Sequence, residues 1–400
     1  MSTLKVDAIR HNSATSDAIT TAADGTCTAK LTSIGGGGLS HRNLIINGAM
    51  MVAQRGQSST TSGYQTVDRW RNQFGGTEEN NTQAQSSLSS SDTPFSFGFR
   101  KSFKVTNGNQ TGGADTNNLV YIRHHIEDQN MANSGWNYTS SSSFITLSFW
   151  VRASVAQDYH FHLRTMGNPV QLYPMEMTLA ANTWTKITKT IPGNSNIVFD
   201  NDNTDGMHLN FNLYCGTDYT SSSANNDQWQ AYSGSIFGGK DQTTTWYTTN
   251  DATFEITGVQ LEVGDTATSF EHRSFGEELT RCQRYCYVIP YGGNSFNTRF
   301  IDNVYCDTKS SSEIQAQVTF PVPMRDTPSY TGSSTNIELF AGNGSDYFTV
   351  DGFSNYLTYG GENCHSMSLR KSGASSITEG QGGKLLWRAT GGFMKFDAEL

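Results

Sequence analysis

Four aromatic side chains stand close together in one glycine- and serine-rich span. Tyr347, Phe353, Tyr356 and Tyr359 lie within Ala341–Glu362, which reads AGNGSDYFTVDGFSNYLTYGGE. A sugar ring offers an apolar C–H face and a rim of hydroxyls. Flat side chains stack on the first, and Asn, Asp or Ser hydrogen-bond the second. The same mix of aromatic, Gly, Ser and Asn residues is used by binding loops. Core packing is the competing role for each ring. Tyr356 and Tyr359 are three apart, so a regular strand would point them to opposite faces. These four residues are the candidate receptor- or glycan-binding set.

Other chemistry is thinner. Asp200-Asn201-Asp202-Asn203-Thr204-Asp205-Gly206 places oxygen ligands at alternating positions before a glycine, like the start of a calcium loop. The late bidentate Glu of such a loop is missing, since Asn212 falls at its offset, and the same residue types build ordinary turns. His160 and His162 share one parity, which suits either two metal ligands or a solvated polar face; we expect the polar face. Six cysteines are scattered without a CxxC pair and are expected as small buried thiols. No GxSxG, HExxH or phosphate loop occurs. Glu277-Glu278 opens a helix, where the dipole accounts for it. The chain is therefore expected to be no enzyme, with no metal site and no cofactor.

Bulk properties narrow the class further. The 400 residues carry a net charge of -9, with 16% charged and 12% aromatic residues. Too many aromatics are present for a disordered chain, and no basic run exists to meet phosphates, so nucleic acid is not an expected partner. No apolar stretch would span a bilayer, so membrane insertion is not expected. The first residues lack a signal-peptide pattern, which implies folding in a cytoplasm.

The elements that must position any site are β-strands, and the expected fold class is all-β. Asp251–Ile289 organises the rest. Phe254 and Ile256 hold one parity, and Val259, Leu261 and Val263 hold the other. Such a slip needs an extra residue, and Gly258 sits where a bulge would supply it. A short helix with Leu279, Cys282 and Cys286 on one face follows, then a strand through Tyr285, Tyr287 and Ile289. We read this segment as a hinge. Residues 1–40 form an arm of sparse strands, a turn at Asp24-Gly25 and a linker at Gly35–Gly38. Residues 41–275 form a jelly-roll-like β-sandwich, with Trp70 in its core, Asp68 bracing a turn, and an exposed turn or hairpin at 75–94. His124 and His125 must face opposite sides of one strand. Residues 276–400 hold the helix and a smaller C-terminal β domain, in which Pro321 and Pro323 end a strand.

The run TGVQLEVGDTATSFEHRSFGEELTRCQRY resembles a signature of tail-fibre and virion structural proteins from marine and related bacteriophages. NLIINGAMMVAQRG (Asn43–Gly56), Val67-Asp68-Arg69-Trp70 after Tyr64, PMRDTPS (Pro323–Ser329) and FDAEL (Phe396–Leu400) are similar to further parts of it, in order. MSTLKVDAIR resembles the attachment end of such fibres. The resemblance implies a virion fibre, foremost a tail fibre, with a carbohydrate-binding-module-like sandwich. It implies a homotrimer that docks on other virion proteins, a tail or portal adaptor, through the N-terminal arm. It also implies recognition of a bacterial surface glycan or protein. Three copies would bury the few apolar residues that one arm cannot. A head fibre or capsid-decorating protein, and a tailspike-like glycan-degrading enzyme, are the alternative functions.

Overall fold

In the computed structural model, residues 42–290 are described without a break. Residues 299–400 are described apart from 333–336, 342–345, 350–352, 360–362, 373–377 and 388–391, and pieces of 6–29 are described. The turn at Asp24-Gly25 and the linker at Gly35–Gly38 lie outside the described residues. The arm contributes β1 (Ala8–Ile9), β2 (Ile19–Thr21) and β3 (Cys27–Ala29), a small antiparallel sheet with Val6 and Ile9 exposed.

Two six-stranded antiparallel sheets follow. Their strands are β4 (Ser58–Ser59), β5 (Trp70–Gly75), β6 (Thr82–Ser87), β7 (Lys101–Thr106), β8 (Leu119–Glu127), β9 (Phe144–Ala153), β10 (Gln157–Thr165), β11 (Gln171–Leu179), β12 (Thr185–Pro192), β13 (Asp205–Cys215), β14 (Gln230–Ala231) and β15 (Thr253–Val263). The first sheet runs β14-β11-β10-β13-β8-β5 and the second β12-β9-β15-β7-β6-β4. Their inner faces share one core, in which Phe149, Phe161 and Phe211 meet edge-on or stacked and Trp70 is fully buried. The fold is all-β.

Gly258 is the bulge. It has φ +62°, and Gly258 and Val259 together oppose Phe149 between the pairs Thr257↔Trp150 and Gln260↔Ser148. The extra residue lets Phe254, Ile256, Val259 and Leu261 all reach the core. A Cβ at Gly258 would lie 2.6 Å from the Phe99 ring, so the close approach also requires glycine. Residues 43–50 dock along this strand. Leu44 N–H donates to the Leu261 carbonyl at 2.9 Å, Val259 N–H to the Gly48 carbonyl at 3.0 Å, and Asn43 Nδ2 to the Val259 carbonyl at 3.1 Å. A Cβ on Gly48 would overlap the Val259 carbonyl oxygen. Gly48→Ala is expected to cost about 3 kcal/mol, at the upper end of overpacking penalties, because backbone must move. A denaturation midpoint within error of the parent's would refute that.

Residues 75–94 are not an exposed turn throughout. They contain β6, paired between β4 and β7. Its Gln83 is fully buried and donates to the Thr61 and Gly63 carbonyls, so a polar strand pairs in the sheet because its amides are satisfied.

The C-terminal part holds β16 (Cys286–Pro290), β17 (Arg299–Ser310), β18 (Glu313–Met324), β19 (Ser329–Gly332), β20 (Ile337–Ala341), β21 (Asp346–Thr349), β22 (Ser354–Tyr359), β23 (Cys364–Ser372), β24 (Gly382–Trp387) and β25 (Phe393–Asp397). One sheet runs β16-β25-β19, the other β21-β20-β24-β17-β18-β23-β22, and both feed a second core. Pro321 and Pro323 do not end a strand. β18 continues to Met324 because its pairing with β23 lapses between Thr319 and Met324, where no ladder donor is needed.

The helix is Phe275–Gln283, capped by Ser274, whose hydroxyl accepts the Glu277 N–H at 3.2 Å. Cys286 is not on it; it opens β16 and pairs with Asp397. The five described cysteines outside the arm are buried. No helix among the described residues is long and apolar enough to cross a membrane.

The stretch read as a hinge is tightly packed. Arg55 pairs with Glu399 at 3.0 Å, Asp397 at 3.2 Å and Asp68 at 3.4 Å. Arg69 is fully buried, pairs with Glu399, donates to the His125 carbonyl at 2.6 Å, and lies 3.4 Å over the Tyr285 ring. Arg284 meets Glu127 at 2.8 Å. Arg325 donates to the Asn203, Ala398 and Glu399 carbonyls at 3.0, 2.8 and 3.2 Å. Asn47 donates to the Val52 and Asp68 carbonyls at 2.9 Å, and the Trp70 indole donates to the Asn47 carbonyl at 3.1 Å. Asp68 braces this turn, with Gln54 N–H donating to it at 3.1 Å. The separate sequence motifs thus converge on one buried polar junction.

Candidate functional site

The outer face of the first sheet carries an unusual set of side chains. Directly opposed residues on neighbouring strands point the same way, so register defines rows across the sheet. One row is Arg71, Arg123, Asn210, His162 and Pro174. On one side of it lies Gln73, Tyr121, Asn212, His160 and Glu176. On the other lies His125, His208, Arg164, Leu172 and Gln230. Alternate residues of the same strands, Ile122, Phe211, Phe161 and Met175, fill the core. His124 and His125 do face opposite sides: His124 packs on Trp70 in the core, with ring centroids 4.8 Å apart, and His125 joins the outer face.

His160 and His162 are not solvated. The connection after β13 folds back over them and sets Phe237 against His162 and Tyr121, at 5.3 and 5.1 Å between ring centroids. The Gly238 carbonyl accepts from Asn212 Nδ2 at 3.2 Å. Tyr219 and Tyr232 stay half-buried at the rim, and Arg71 and Gln73 are half-buried along the β5 edge.

Polar links tie the floor together. Arg123 Nε donates to Asn210 Oδ1 at 2.8 Å. Arg164 meets His208 Nδ1 at 2.9 Å, and His208 Nε2 meets Asp205 at 2.6 Å. His125 Nδ1 contacts Asp205 at 2.9 Å. Burial holds the His125 imidazole down to about 4 and the His162 and His208 imidazoles well below their usual value of 6.5, so all three are neutral. Asp205 is held well below the usual carboxylate range by its two histidine partners, against the opposing effect of burial. Arg123 is pushed down to about 10, by burial first and then by Arg164 and Arg71.

His125, Asp205 and His208 offer ligand atoms within 4.8 Å of one another. Donor chemistry argues against a metal here. A guanidinium only donates, so Arg164 makes His208 Nδ1 the acceptor and leaves the proton on Nε2, where it is donated to Asp205. That Nε2 has no lone pair for a cation. The Asp200–Gly206 segment is a turn in which Asp202 Oδ1 accepts Thr204 N–H and hydroxyl at 2.8 and 2.6 Å. Its Asp205 faces the histidines instead.

The C-terminal candidates separate. Phe353 is buried in the second core, where its apolar area is better used, and does not line a surface. Tyr347 lies on β21, and Tyr356 and Tyr359 on β22. Pairing of β22 with β23 shifts between Asn355 and Leu357, so Tyr356 falls at an irregularity. Residues 342–345, 350–352 and 360–362 of this span lie outside the described residues. The sandwich face was missed in the sequence because each strand looks amphipathic in the ordinary way. The available signal was that its polar parity held Arg, His and Asn, where solvated strands carry Ser, Thr and Lys.

No protein-family model matches this chain, and no curated protein matches it. Solved structures do. The enzymatically active domain of bacteriophage CBA120 tailspike protein 4 aligns at 10% identity and TM-score 0.30, covering 58% of this chain and 24% of that one. The family 11 carbohydrate-binding module of the Clostridium thermocellum cellulase Lic26A-Cel5E aligns at 13% identity and TM-score 0.25, covering 54% of this chain and 98% of that one. A Bacteroides thetaiotaomicron protein described as sugar-binding aligns at 10% identity and TM-score 0.29, covering 56% of this chain and 100% of that one. This chain spans about a quarter of the length of that enzymatically active domain. Similarity at this level transfers neither activity nor ligand.

Proposed function

We propose that this is a phage virion fibre protein, foremost a tail fibre, whose sandwich binds a glycan of the bacterial surface on the outer face of its first sheet. The observation that carries the glycan reading is that face itself: three rows rich in Arg, His, Asn and Gln, covered in part by Phe237, with Tyr121, Tyr219 and Tyr232 beside them. Flat rings and fixed amide donors are what a saccharide requires. Buried polar atoms with no partner among the described residues, Asn210 Nδ2, Asn212 Oδ1 and His162 Nε2 included, support a ligand that completes them.

Binding without hydrolysis fits the charges better than catalysis. A glycosidase needs a carboxyl with a raised pKa as general acid. Asp205 and Glu127 beside this face are both held low. Asp128 at the end of β8 is raised by burial, but its carboxylate accepts the Asn201 N–H, and Glu176 on the face accepts from Asn226 Nδ2. Asp68 is raised to about 6 by burial, but it sits inside the junction, bonded to Gln54.

The fibre part rests on the motif resemblance and on the exposed Val6 and Ile9 of the arm, which a second and third copy would cover. Light scattering on the purified chain reads the expected trimer; a monomer would remove that element. The glycan part is tested by adsorption to host cells and by a saccharide array. Tyr232→Ala is expected to weaken binding by about thirtyfold, the value of one stacked ring at about 2 kcal/mol. Tyr347, Tyr356 and Tyr359 form a proposed second surface. If Tyr356→Ala/Tyr359→Ala abolishes adsorption and Tyr232→Ala leaves it intact, recognition belongs to the C-terminal sheet instead.

A further inference from the structure

We infer that the saccharide taken by this face is acidic, and that Arg71, Arg123 and Arg164 hold its carboxylate or sulfate group. The inference rests on the glycan reading above and names the ligand class for the same face.

The first argument is charge. Most described arginines elsewhere in the chain meet a carboxylate, including the buried Arg55, Arg69 and Arg273. Arg71, Arg123 and Arg164 form no ion pair among the described residues. Their polar partners are Gln73, Asn210 and His208, all neutral. Arg123 and Arg164 are 7% and 9% exposed, so each is nearly out of water. Arg71 and Arg123 are directly opposed across β5 and β8, and opposed like charges destabilise a sheet. A protein with net charge -9 thus keeps three cations together at a cost in stability. The main core lies on the other face; on this one Arg123 and Arg164 meet the rings of Tyr121, Tyr232 and Phe237 in a small separate cluster.

The second argument is the donor inventory. Among the described residues, Arg71 Nε, Arg164 Nε, Asn210 Nδ2 and His162 Nε2 have no hydrogen-bond partner. Asn210 and His162 are fully buried and share the central row with Arg71 and Arg123. Guanidinium and amide groups supply N–H donors in excess of acceptors. A planar carboxylate or a sulfate ester supplies oxygens and no donors, and guanidinium forks bind such groups in a bidentate way. The rings pack on the same cations. Arg123 lies 4.7 Å from the Tyr121 ring and Arg164 4.6 Å from the Tyr232 ring, so an acidic group on the arginines would leave its sugar ring beside the aromatics. Burial first, and then repulsion from Arg164 and Arg71, holds the Arg123 pKa down, and a bound anion would relieve the repulsion.

A purely structural stack of arginine on aromatic rings predicts a different outcome, so the experiment separates the two. The full chain is applied to an array carrying neutral, hexuronate, nonulosonate and sulfated oligosaccharides, and dissociation constants are measured by calorimetry for the hits. Acidic saccharides are expected to bind at least about tenfold tighter than neutral ones of the same backbone, the scale of one charged hydrogen bond. Uronate or nonulosonate hits assign a carboxylate, and sulfated hits assign a sulfate ester. Arg123→Gln is expected to abolish that preference with an unchanged or higher melting temperature, because it removes a like charge. Arg71→Gln, at the half-buried edge, gives the same reading should Arg123→Gln fail to fold. Equal binding of neutral and acidic saccharides, or acidic binding within twofold of the parent in both variants, overturns the inference and leaves the glycan reading intact. No saccharide binding at all overturns both.

Discussion

Arg69→Ala is expected to destabilise the protein by about 3–5 kcal/mol, the cost of breaking a buried charge network from one side. The side chain is fully buried and joins three segments far apart in sequence. It pairs with Glu399 in the C-terminal tail, donates to the His125 carbonyl on β8, and lies over the ring of Tyr285 just after the helix. Truncation leaves a cavity, an unbonded carbonyl and a carboxylate with only Arg55 left. Because this contact ties the sandwich to the second core, the thermal transition of the variant is expected to split, with the C-terminal sheets melting first. Arg370→Ala provides the contrast. It removes a partly exposed pair with Glu313 and is expected to cost about 0–1 kcal/mol. Calorimetry and urea titration of both variants check this. A loss below about 1 kcal/mol for Arg69→Ala would show that the junction is loosely held after all.

The second large effect is acid sensitivity below neutrality. His124, His125, His160, His162 and His208 are buried, and burial holds each imidazole below its usual value of 6.5. The unfolded chain therefore binds more protons than the folded one as pH falls through that value. Stability is fully present above about 6.5 and is lost downward through the folded values, about 4 for His125. Each imidazole contributes up to about 1.4 kcal/mol per pH unit in that window. The cations Arg69, Arg123 and Arg164 near these rings push the same way, while Asp205 opposes it only for its two partners. Asp68 has the opposite sign. Its folded value is raised to about 6 from 3.8, so its protonation favours the folded state as pH falls through that range. Asp128, whose carboxyl burial also raises, acts in the same direction, and two such groups do not offset five. Unfolding free energy is expected to fall by more than about 3 kcal/mol per pH unit between pH 6.5 and 5. A flat profile there would mean that the histidines are hydrated, and that the connection after β13 does not cover them.

The amino-acid sequence by itself determined the clearly alternating strands, the bulge and the start of the helix, but not β6 or the continuation of β18 past Pro321. Alternation reports burial along a single element, so the shared parity of His160 and His162, the opposite facing of His124 and His125 and the slip at Gly258 follow from the sequence alone. Glu277-Glu278 likewise mark a helix start by local chemistry, and the structure adds Ser274 as its cap. What alternation cannot report is what lies above the other face. The polar parity of β10 reads as solvent-facing until the connection carrying Phe237 is seen to fold over it. The Arg71–Arg123 opposition exists only through pairing of strands some fifty residues apart. Phe353 illustrates the converse, since composition suggested a surface ring and the tertiary structure placed it in a core. The junction motifs show the same limit. Arg55, Arg69, Arg284 and Glu399 carry no local signal of one another, because ion pairing depends on distance in space, and only the closed fold decides which charges meet.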